Sequence, residues 1–292
     1  MRVGRVAAIV ALSSSVMLVG FGLNAVSSGA ASHSPSASAV AAARAARRPA
    51  RFITKCTFTH TLPDDPIVHP NQPGASHSHD FFGNVTTNAA TTLTSLAAGG
   101  STCVNHDDLS GYWVPSLMVN GVPVQPTFTN VYYQNAGKPF RTIKTIPRGL
   151  EVVAGNAEAT TPQSLSVVAW NCGAEEDVDM SSAAPTCPGP TLTIHINFPD
   201  CWNGTTLDSP DHKSHLAYHN ANGTCPAGFP VPIPRVRVNV HYPTTGGPGV
   251  SLASGGQYSG HADFFNAWVP TELQRLVRTC INAGRQCTAR KR

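Results

Sequence analysis

Charge is scarce in this chain. Only 12% of its 292 residues are charged, whereas glycine and proline contribute 25 and 24 residues. This composition is typical of a loop-rich extracellular β protein. The net charge is +4, and five of the 20 basic residues precede residue 51, so we expect no nucleic acid partner.

Several motifs of common enzyme classes are also missing. The sequence has no Gly-x-Ser-x-Gly elbow, no phosphate-binding glycine loop and no dinucleotide fingerprint. Serine-esterase, nucleotide-binding and redox-cofactor functions therefore find no support. The absence of any Cys-x-x-Cys pair argues against a structural zinc site.

Long apolar runs are confined to the N-terminus. Arg2 and Arg5 precede a nearly uncharged run at 6–23, and small residues follow at 27–31, which predicts a cleavable signal peptide over 1–31. Residues 32–50, rich in Ala, Ser and Pro, predict a disordered tether. No later stretch approaches the ~20 apolar residues of a membrane span. We therefore expect a secreted, extracellular protein with no stable membrane insertion after signal cleavage.

Residues 51–292 form one predicted domain, because no linker divides them. All eight cysteines lie in this region, and an even number in an exported protein predicts disulfides. Pairing of sequence neighbours is one of on the order of 100 patterns. It gives Cys56–Cys103, Cys172–Cys187, Cys201–Cys225 and Cys280–Cys287.

Short β-rich runs bounded by turn residues predict a mostly β fold, a β-sandwich or jelly-roll-like domain with long loops. Asn120-Gly121 predicts a hairpin between 112–119 and 122–127, whose prolines favour a sheet edge. A short C-terminal helix is predicted over 272–281, capped by Thr271 and ended by Gly284. The remaining predicted strands are Thr127–Gln134, Leu150–Ala154, Leu165–Trp170, Leu192–Phe198 and Val236–Tyr242.

Two of these strands, at 192–198 and 236–242, alternate strictly between apolar and polar residues. The polar residues must point away from the core, and they form either a functional face or an ordinary solvated sheet face. They are His195 and Asn197 on one strand, and Arg237, Asn239 and His241 on the other.

Most of the histidines beyond the tether lie in three polar neighbourhoods. The first, 64–84, contains His77, His79 and Asp80; in an extended segment the two imidazoles of His-x-His project to the same side. The second, 200–219, contains Trp202, Asn203, Asp208, Asp211, His212, Lys213 and His215. The third, 260–268, contains His261, Asp263, Phe264 and Trp268.

These neighbourhoods carry a resemblance to a known family. The segments GASHSHDFFGN (74–84), FPDCWNG (198–204), LDSPDHKSH (207–215) and HADFFNAW (261–268) resemble the signature blocks of the domain of unknown function 1996 family. The likeness runs from about Phe52 to Trp268. The resemblance implies export and a cell-wall or polysaccharide context, since some fungal members carry carbohydrate-binding modules, but it supplies no reaction.

The candidate chemistry follows from residue types. Hydrolysis or elimination on a polysaccharide needs a group that exchanges a proton near neutral pH and a second group that orients it. The predicted catalytic residues are His77, His79, Asp80, His212, His215, His261 and Asp263. The predicted substrate-binding residues are Trp202, Asn203, Asp208, Asp211, Lys213, Phe264 and Trp268.

Two other uses of these residues stay open. A divalent metal could be held by histidines, with His77, His79, His212 and His215 as candidate ligands. His212-x-x-His215 lacks the Glu of the zinc-protease motif. Turn capping by Asp, Ser and Asn is the structural alternative.

The sequence therefore predicts a secreted polysaccharide hydrolase or lyase with a His/Asp site; a non-catalytic glycan-binding or metal-binding protein is the alternative. A competent site needs more groups than one neighbourhood offers. We expect residues of all three to converge on one cleft formed by loops at one end of the sandwich.

Overall fold

A computed structural model describes residues 49–138, 142–174 and 177–289. The predicted signal peptide and nearly all of the predicted tether lie outside these residues. Ala50, which was assigned to the tether, is buried, and its carbonyl accepts the Asn135 N–H. In the part described, no helix has the length and apolar character needed to cross a membrane.

The main sheet is built around one long strand, β1 (Arg51–Leu62), whose register is irregular between Phe58 and Thr61. Its first part belongs to the first layer of the fold and its last part to the second. The first layer adds β6 (Phe128–Gln134), β8 (Val168–Asn171), β9 (Thr193–Asn197) and β13 (Arg235–His241), with β17 (Gln286–Thr288) parallel to β1. The second layer adds β2 (His79–Gly83), β3 (Gly111–Pro115), β7 (Glu151–Gly155) and β16 (His261–Phe265).

The strand order is β8-β9-β13-β6-β1-β2-β3-β16-β7, and every neighbouring pair on this path is antiparallel. The two layers face each other across one core. Tyr133 of β6 and Phe198, which follows β9, lie 6.3 and 6.1 Å from Phe264 of β16, measured between ring centroids. The predicted mostly β sandwich is confirmed.

Two small sheets flank the sandwich. The predicted hairpin at Asn120-Gly121 is confirmed, and both residues have the positive φ of a type I′ turn. The predicted first strand divides at Ser116, because β3 joins the main sheet and β4 does not. One sheet contains β4 (Leu117–Val119), β5 (Val122–Val124), β14 (Val250–Leu252) and β15 (Gly255–Gly256), with β5 at an edge. The other contains β10 (Cys201–Trp202), β11 (Leu216–Ala217) and β12 (Val231–Pro232).

Helices are short. α1 spans Leu93–Ala98, and the C-terminal helix α2 spans Pro270–Leu276 and continues as a π-helical turn, Val277–Ile281. The prediction that Thr271 caps this helix is wrong: the helix begins at Pro270, with no side-chain cap, because proline has no N–H to satisfy there. All four predicted disulfides are present.

The predicted polar face of the first layer is not solvated. His195, Asn197, Arg237 and Asn239 are all buried. Arg237 supplies the necessary hydrogen bonds: it contacts Asp177 Oδ1 at 2.6 Å, His195 Nδ1 at 2.7 Å and Asn239 Oδ1 at 2.8 Å. A buried charge needs such pairing, and here the buried guanidinium of Arg237 is paired by the exposed carboxylate of Asp177, an imidazole and an amide.

A chain of hydrogen bonds crosses the core. Trp268 Nε1–H donates to the Tyr133 hydroxyl at 2.8 Å, and the hydroxyls of Tyr133 and Tyr112 lie 2.6 Å apart. Tyr112 in turn donates to Asp108 Oδ2 at 2.8 Å. Tyr133 is therefore the central member of a network with no access to water.

We predict that Tyr133→Phe lowers the free energy of unfolding by about 1–3 kcal/mol, because it leaves Trp268 Nε1–H buried without an acceptor. Urea unfolding followed by far-ultraviolet circular dichroism would measure this as a lower midpoint with an unchanged slope. Tyr258→Phe, at a half-buried position, is the matched control. Equal midpoints for the two variants would contradict the prediction.

Candidate functional site

The candidate site lies on the outer face of the second layer. Successive side chains of a strand point to opposite faces. In β2, Phe82 belongs to the main core, whereas Phe81 packs with Trp113 and Phe265 in a separate cluster on the outer face. His79 shares the face of Phe81, and His261 and Asp263 share the face of Phe265.

The register of three strands brings His79 and His261 together. β3 lies between β2 and β16, and His79 is the partner of Pro115. Since Asp263 pairs with Trp113 in an antiparallel ladder, His261 lies beside Pro115 on the other side. The compact ring of Pro115 between them leaves room for both imidazoles, whose Nε2 atoms come within 3.3 Å of each other.

His77, His79 and His261 form what we call the histidine cluster. His77 Nε2 lies 3.1 Å from His261 Nε2, and His79 Nε2 lies 3.3 Å from the same atom. The rings of His77 and His79 have centroids 4.3 Å apart, which confirms that His-x-His presents both imidazoles on one side. The three donor nitrogens are close enough together to hold one metal ion.

Backbone carbonyls fix the tautomers of two of these rings. His79 Nδ1 lies 2.9 Å from the Asp64 carbonyl oxygen, and His261 Nδ1 lies 2.9 Å from that of Ser259. A carbonyl oxygen only accepts hydrogen bonds, so each Nδ1 carries the proton. In the neutral rings, each Nε2 is then unprotonated, and its lone pair points into the cluster.

Burial sets the protonation of the cluster. Desolvation lowers the pKa of His79 to about 3 and that of His261 to about 3, and it also lowers the pKa of half-buried His77. At a pKa of about 3, His79 and His261 are neutral at neutral pH and are weak bases. The cluster is better suited to ligand binding than to proton transfer.

Two carboxylates adjoin the cluster. Asp65 and Asp263 each offer an oxygen within 4.8 Å of a His79 ring nitrogen and of each other. Asp263 is 1% exposed, and neither of its oxygens has a hydrogen-bond partner among the described residues. Desolvation and the charge of Asp65 raise the pKa of Asp263 well above its usual value.

His212 forms a separate pair with Asp208. Its Nδ1 lies 3.0 and 2.9 Å from the two carboxylate oxygens of Asp208. His212 has a φ of 57°, a conformation that costs a non-glycine residue about 1–3 kcal/mol. Asp211 holds this turn by accepting the N–H groups of Lys213 and Ser214.

One cleft of about 480 Å³ unites the three neighbourhoods, as predicted. Val153, Asn156, Glu158 and Ser254 also line it. The contributions from the three neighbourhoods are His77 from the first, Asp211, His212 and Lys213 from the second, and His261 and Asp263 from the third. The prediction that loops supply these groups is only partly right, because His261 and Asp263 belong to strand β16.

Two predicted catalytic residues lie elsewhere. Asp80 follows His79 in β2 and therefore points to the opposite face, where Thr61 Oγ1 and Ser116 Oγ donate to it at 2.6 and 3.0 Å. His215 uses both ring nitrogens, at 2.9 Å from Ser209 Oγ and 2.8 Å from the Glu151 carbonyl oxygen. His215 fastens its loop to β7, and neither of its ring nitrogens is left for the divalent metal for which it was a candidate ligand.

The predicted sugar platforms are also corrected. Phe264 and Trp268 are 0% and 1% exposed in the core, so no glycan can reach them. Trp202 Nε1 donates to the Thr206 carbonyl at 2.6 Å, and Asn203 Oδ1 accepts the N–H groups of Thr205 and Thr206. These two residues shape a turn outside the cleft lining.

Asp65 and His69 line the cleft but were not predicted as site residues. Asp65 has the turn-capping role that is the structural alternative for such residues, because its Oδ1 accepts the N–H groups of Ile67 and Val68 at 3.0 Å each. Its spacing from the histidines has no period that reveals a shared site, since the intervening loop follows no regular structure. Only the folded loop shows that Asp65 also lies beside His79 and Asp263 and lines the cleft.

Three comparisons with known proteins were made. The searches of curated proteins and of solved structures found no match. The model of a domain of unknown function, DUF1996, matches residues 65–268, a range that includes the cleft-lining residues of all three neighbourhoods. Because this match covers more than half of the chain, the protein belongs to the DUF1996 family.

Proposed function

We propose that this protein is a secreted carbohydrate-active enzyme, a hydrolase or lyase that acts on cell-wall or environmental polysaccharide in the cleft. One observation carries the proposal: His212, which pairs with Asp208, lines the same cleft as His77 and His261 of the histidine cluster. Four disulfides are consistent with export.

His212 is the proton-transfer group in this proposal. Its Nδ1 faces Asp208, which orients the ring and offsets the positive charge that develops on it. Nε2 is then left for the substrate. The cluster histidines are less suitable for this step, because burial lowers the pKa of two of them to about 3.

The lining of the cleft favours a hydrogen-bonding ligand. Among the described residues, no Phe, Tyr or Trp lines it, whereas Asn156, Glu158, Asp211 and Lys213 do. A volume of about 480 Å³ falls in the usual range of small-molecule sites, about 300–1,000 Å³. Sugar hydroxyls would be bound here by amide, carboxylate and ammonium groups and not by stacking.

The proposal predicts cleavage of at least one glycan in a panel of soluble and insoluble cell-wall polysaccharides. The purified protein should release new reducing ends, and a lyase would also leave an ultraviolet-absorbing unsaturated sugar. Retention on several glycans without cleavage of any would overturn the enzyme proposal and favour a glycan-binding protein.

On a glycan that the protein cleaves, we predict that His212→Gln lowers kcat by about 10²–10⁴-fold, because glutamine forms hydrogen bonds but cannot exchange a proton in this way. KM should change little. His106→Gln, at an exposed histidine outside the cleft lining, is the control and should keep the wild-type rate. Similar kcat values for both variants would exclude His212 as the proton-transfer group.

A further inference from the structure

The histidine cluster has the dimensions of a metal site. Zinc binds imidazole nitrogen at about 2.0–2.1 Å, so two nitrogens of a tetrahedral site lie about 3.3 Å apart. The two Nε2 separations measured from His261 are 3.1 and 3.3 Å. The ligand nitrogens of the three rings all lie within 4.8 Å of one another, so one ion at the centre of the cluster could reach all three rings.

Hydrogen bonding within the cluster explains only part of this arrangement. The proton on Nδ1 leaves Nε2 of both His79 and His261 as acceptors in their neutral forms. His77 can donate to His261, but the two acceptor nitrogens of His79 and His261 still face each other at 3.3 Å. Two lone pairs at this distance repel, and a shared cation removes the repulsion.

The outer contacts of the rings are those of metal ligands. A ligating histidine usually donates its other N–H to a carbonyl or carboxylate, which orients the ring. Asp64 and Ser259 provide such carbonyls at 2.9 Å each.

The adjoining carboxylates provide a second, independent indication. Both oxygens of Asp263 are buried and lack a hydrogen-bond partner in the described part of the chain, which is costly for a polar group. Asp65 and Asp263 border His79, and in their ionised forms they would balance the charge of a divalent cation.

The geometry points to a divalent transition-metal centre in which His77, His79 and His261 bind a Zn²⁺-class ion through Nε2, with Asp65 and Asp263 as the charge-balancing carboxylates. This ligand set replaces the predicted one, because His215 uses both nitrogens elsewhere and His212 pairs with Asp208.

Such a centre would be accessible from one side. His79 is 0% exposed, but His77 is half-buried and lines the cleft together with His261. A site with three protein ligands and an open side is the arrangement of catalytic zinc, whereas structural zinc is enclosed by four protein ligands. A bound ion could therefore contact water or a substrate oxygen in the cleft.

The first test is metal binding by the intact secreted protein. After removal of metal with a chelator and dialysis against Zn²⁺, we expect about one ion per chain by mass spectrometry and a higher midpoint of thermal unfolding, as for any ligand of the native state. Co²⁺ should bind to the same site and give a visible absorption band. Folded wild-type protein that binds neither ion stoichiometrically would overturn the inference.

Variants identify the ligands. Asp263→Asn preserves the shape of the side chain and should weaken Zn²⁺ binding about 10–100-fold, whereas His261→Ala should weaken it further and alter the Co²⁺ spectrum. His106→Ala is the matched control and should bind Zn²⁺ as wild type does. If His261→Ala does not fold, His77→Ala at the half-buried position provides the same test. Wild-type Zn²⁺ affinity in folded His77→Ala or His261→Ala would also overturn the inference.

This inference does not depend on the proposed function, and the experiments separate the two. Zn²⁺ binding without cleavage of any glycan would support the centre and remove the enzyme proposal. Glycan cleavage that is unchanged by chelator, in a protein that binds no ion, would remove the centre and leave the enzyme proposal standing.

Discussion

The alternation of side chains across the second layer is the constraint on which the site depends. One face of β2 and β16 must fill the core with Phe82 and Phe264, so the residues one position away must face outward. A register shift of one residue would exchange these faces and bury the histidines among the aromatic rings. Core packing therefore holds His79 and His261 opposite each other with an accuracy that a loop would not provide.

Burying imidazoles and carboxylates on a sheet face costs free energy of desolvation. The loop before β2 offsets part of this cost, because it provides hydrogen-bond partners. Asp64 accepts the N–H groups of Gly74 and Ala89 through its two carboxylate oxygens, and its carbonyl receives the His79 ring proton. One residue thus closes the loop and fixes a ring tautomer. Asp65 beside it orders the next turn and borders the cluster. Two consecutive residues thus order the loop and contact or border the histidine cluster.

Aromatic rings fill the core, whereas no Phe, Tyr or Trp of the described residues lines the cleft. The large rings stack on one another in the interior, as Tyr112 does on Phe264 with centroids 5.1 Å apart, and they stabilise the two layers. The cleft is lined by charged groups, imidazoles and the amide of Asn156, together with small apolar side chains such as Val68 and Val153. A ligand in the cleft would therefore be recognised mainly by hydrogen bonds and charge. The cost of removing water from its polar groups would depend on how many of them find a hydrogen-bond partner in the cleft.

The sequence by itself determined the mostly β class, the hairpin at Asn120-Gly121 and the common side of His77 and His79, because local turn chemistry and a period of two govern them. The four disulfides do join neighbouring cysteines, but the sequence allowed on the order of 100 pairing patterns and only the fold selects this one. The sequence did not reveal that β2 and β16 are strands. His79, His261 and Asp263 are polar and look like loop residues in the sequence, although they lie buried on the outer face of the sheet. Only the tertiary structure separated Asp80 and His215 from the site and added Asp65, because strand register and loop closure join residues up to 184 positions apart.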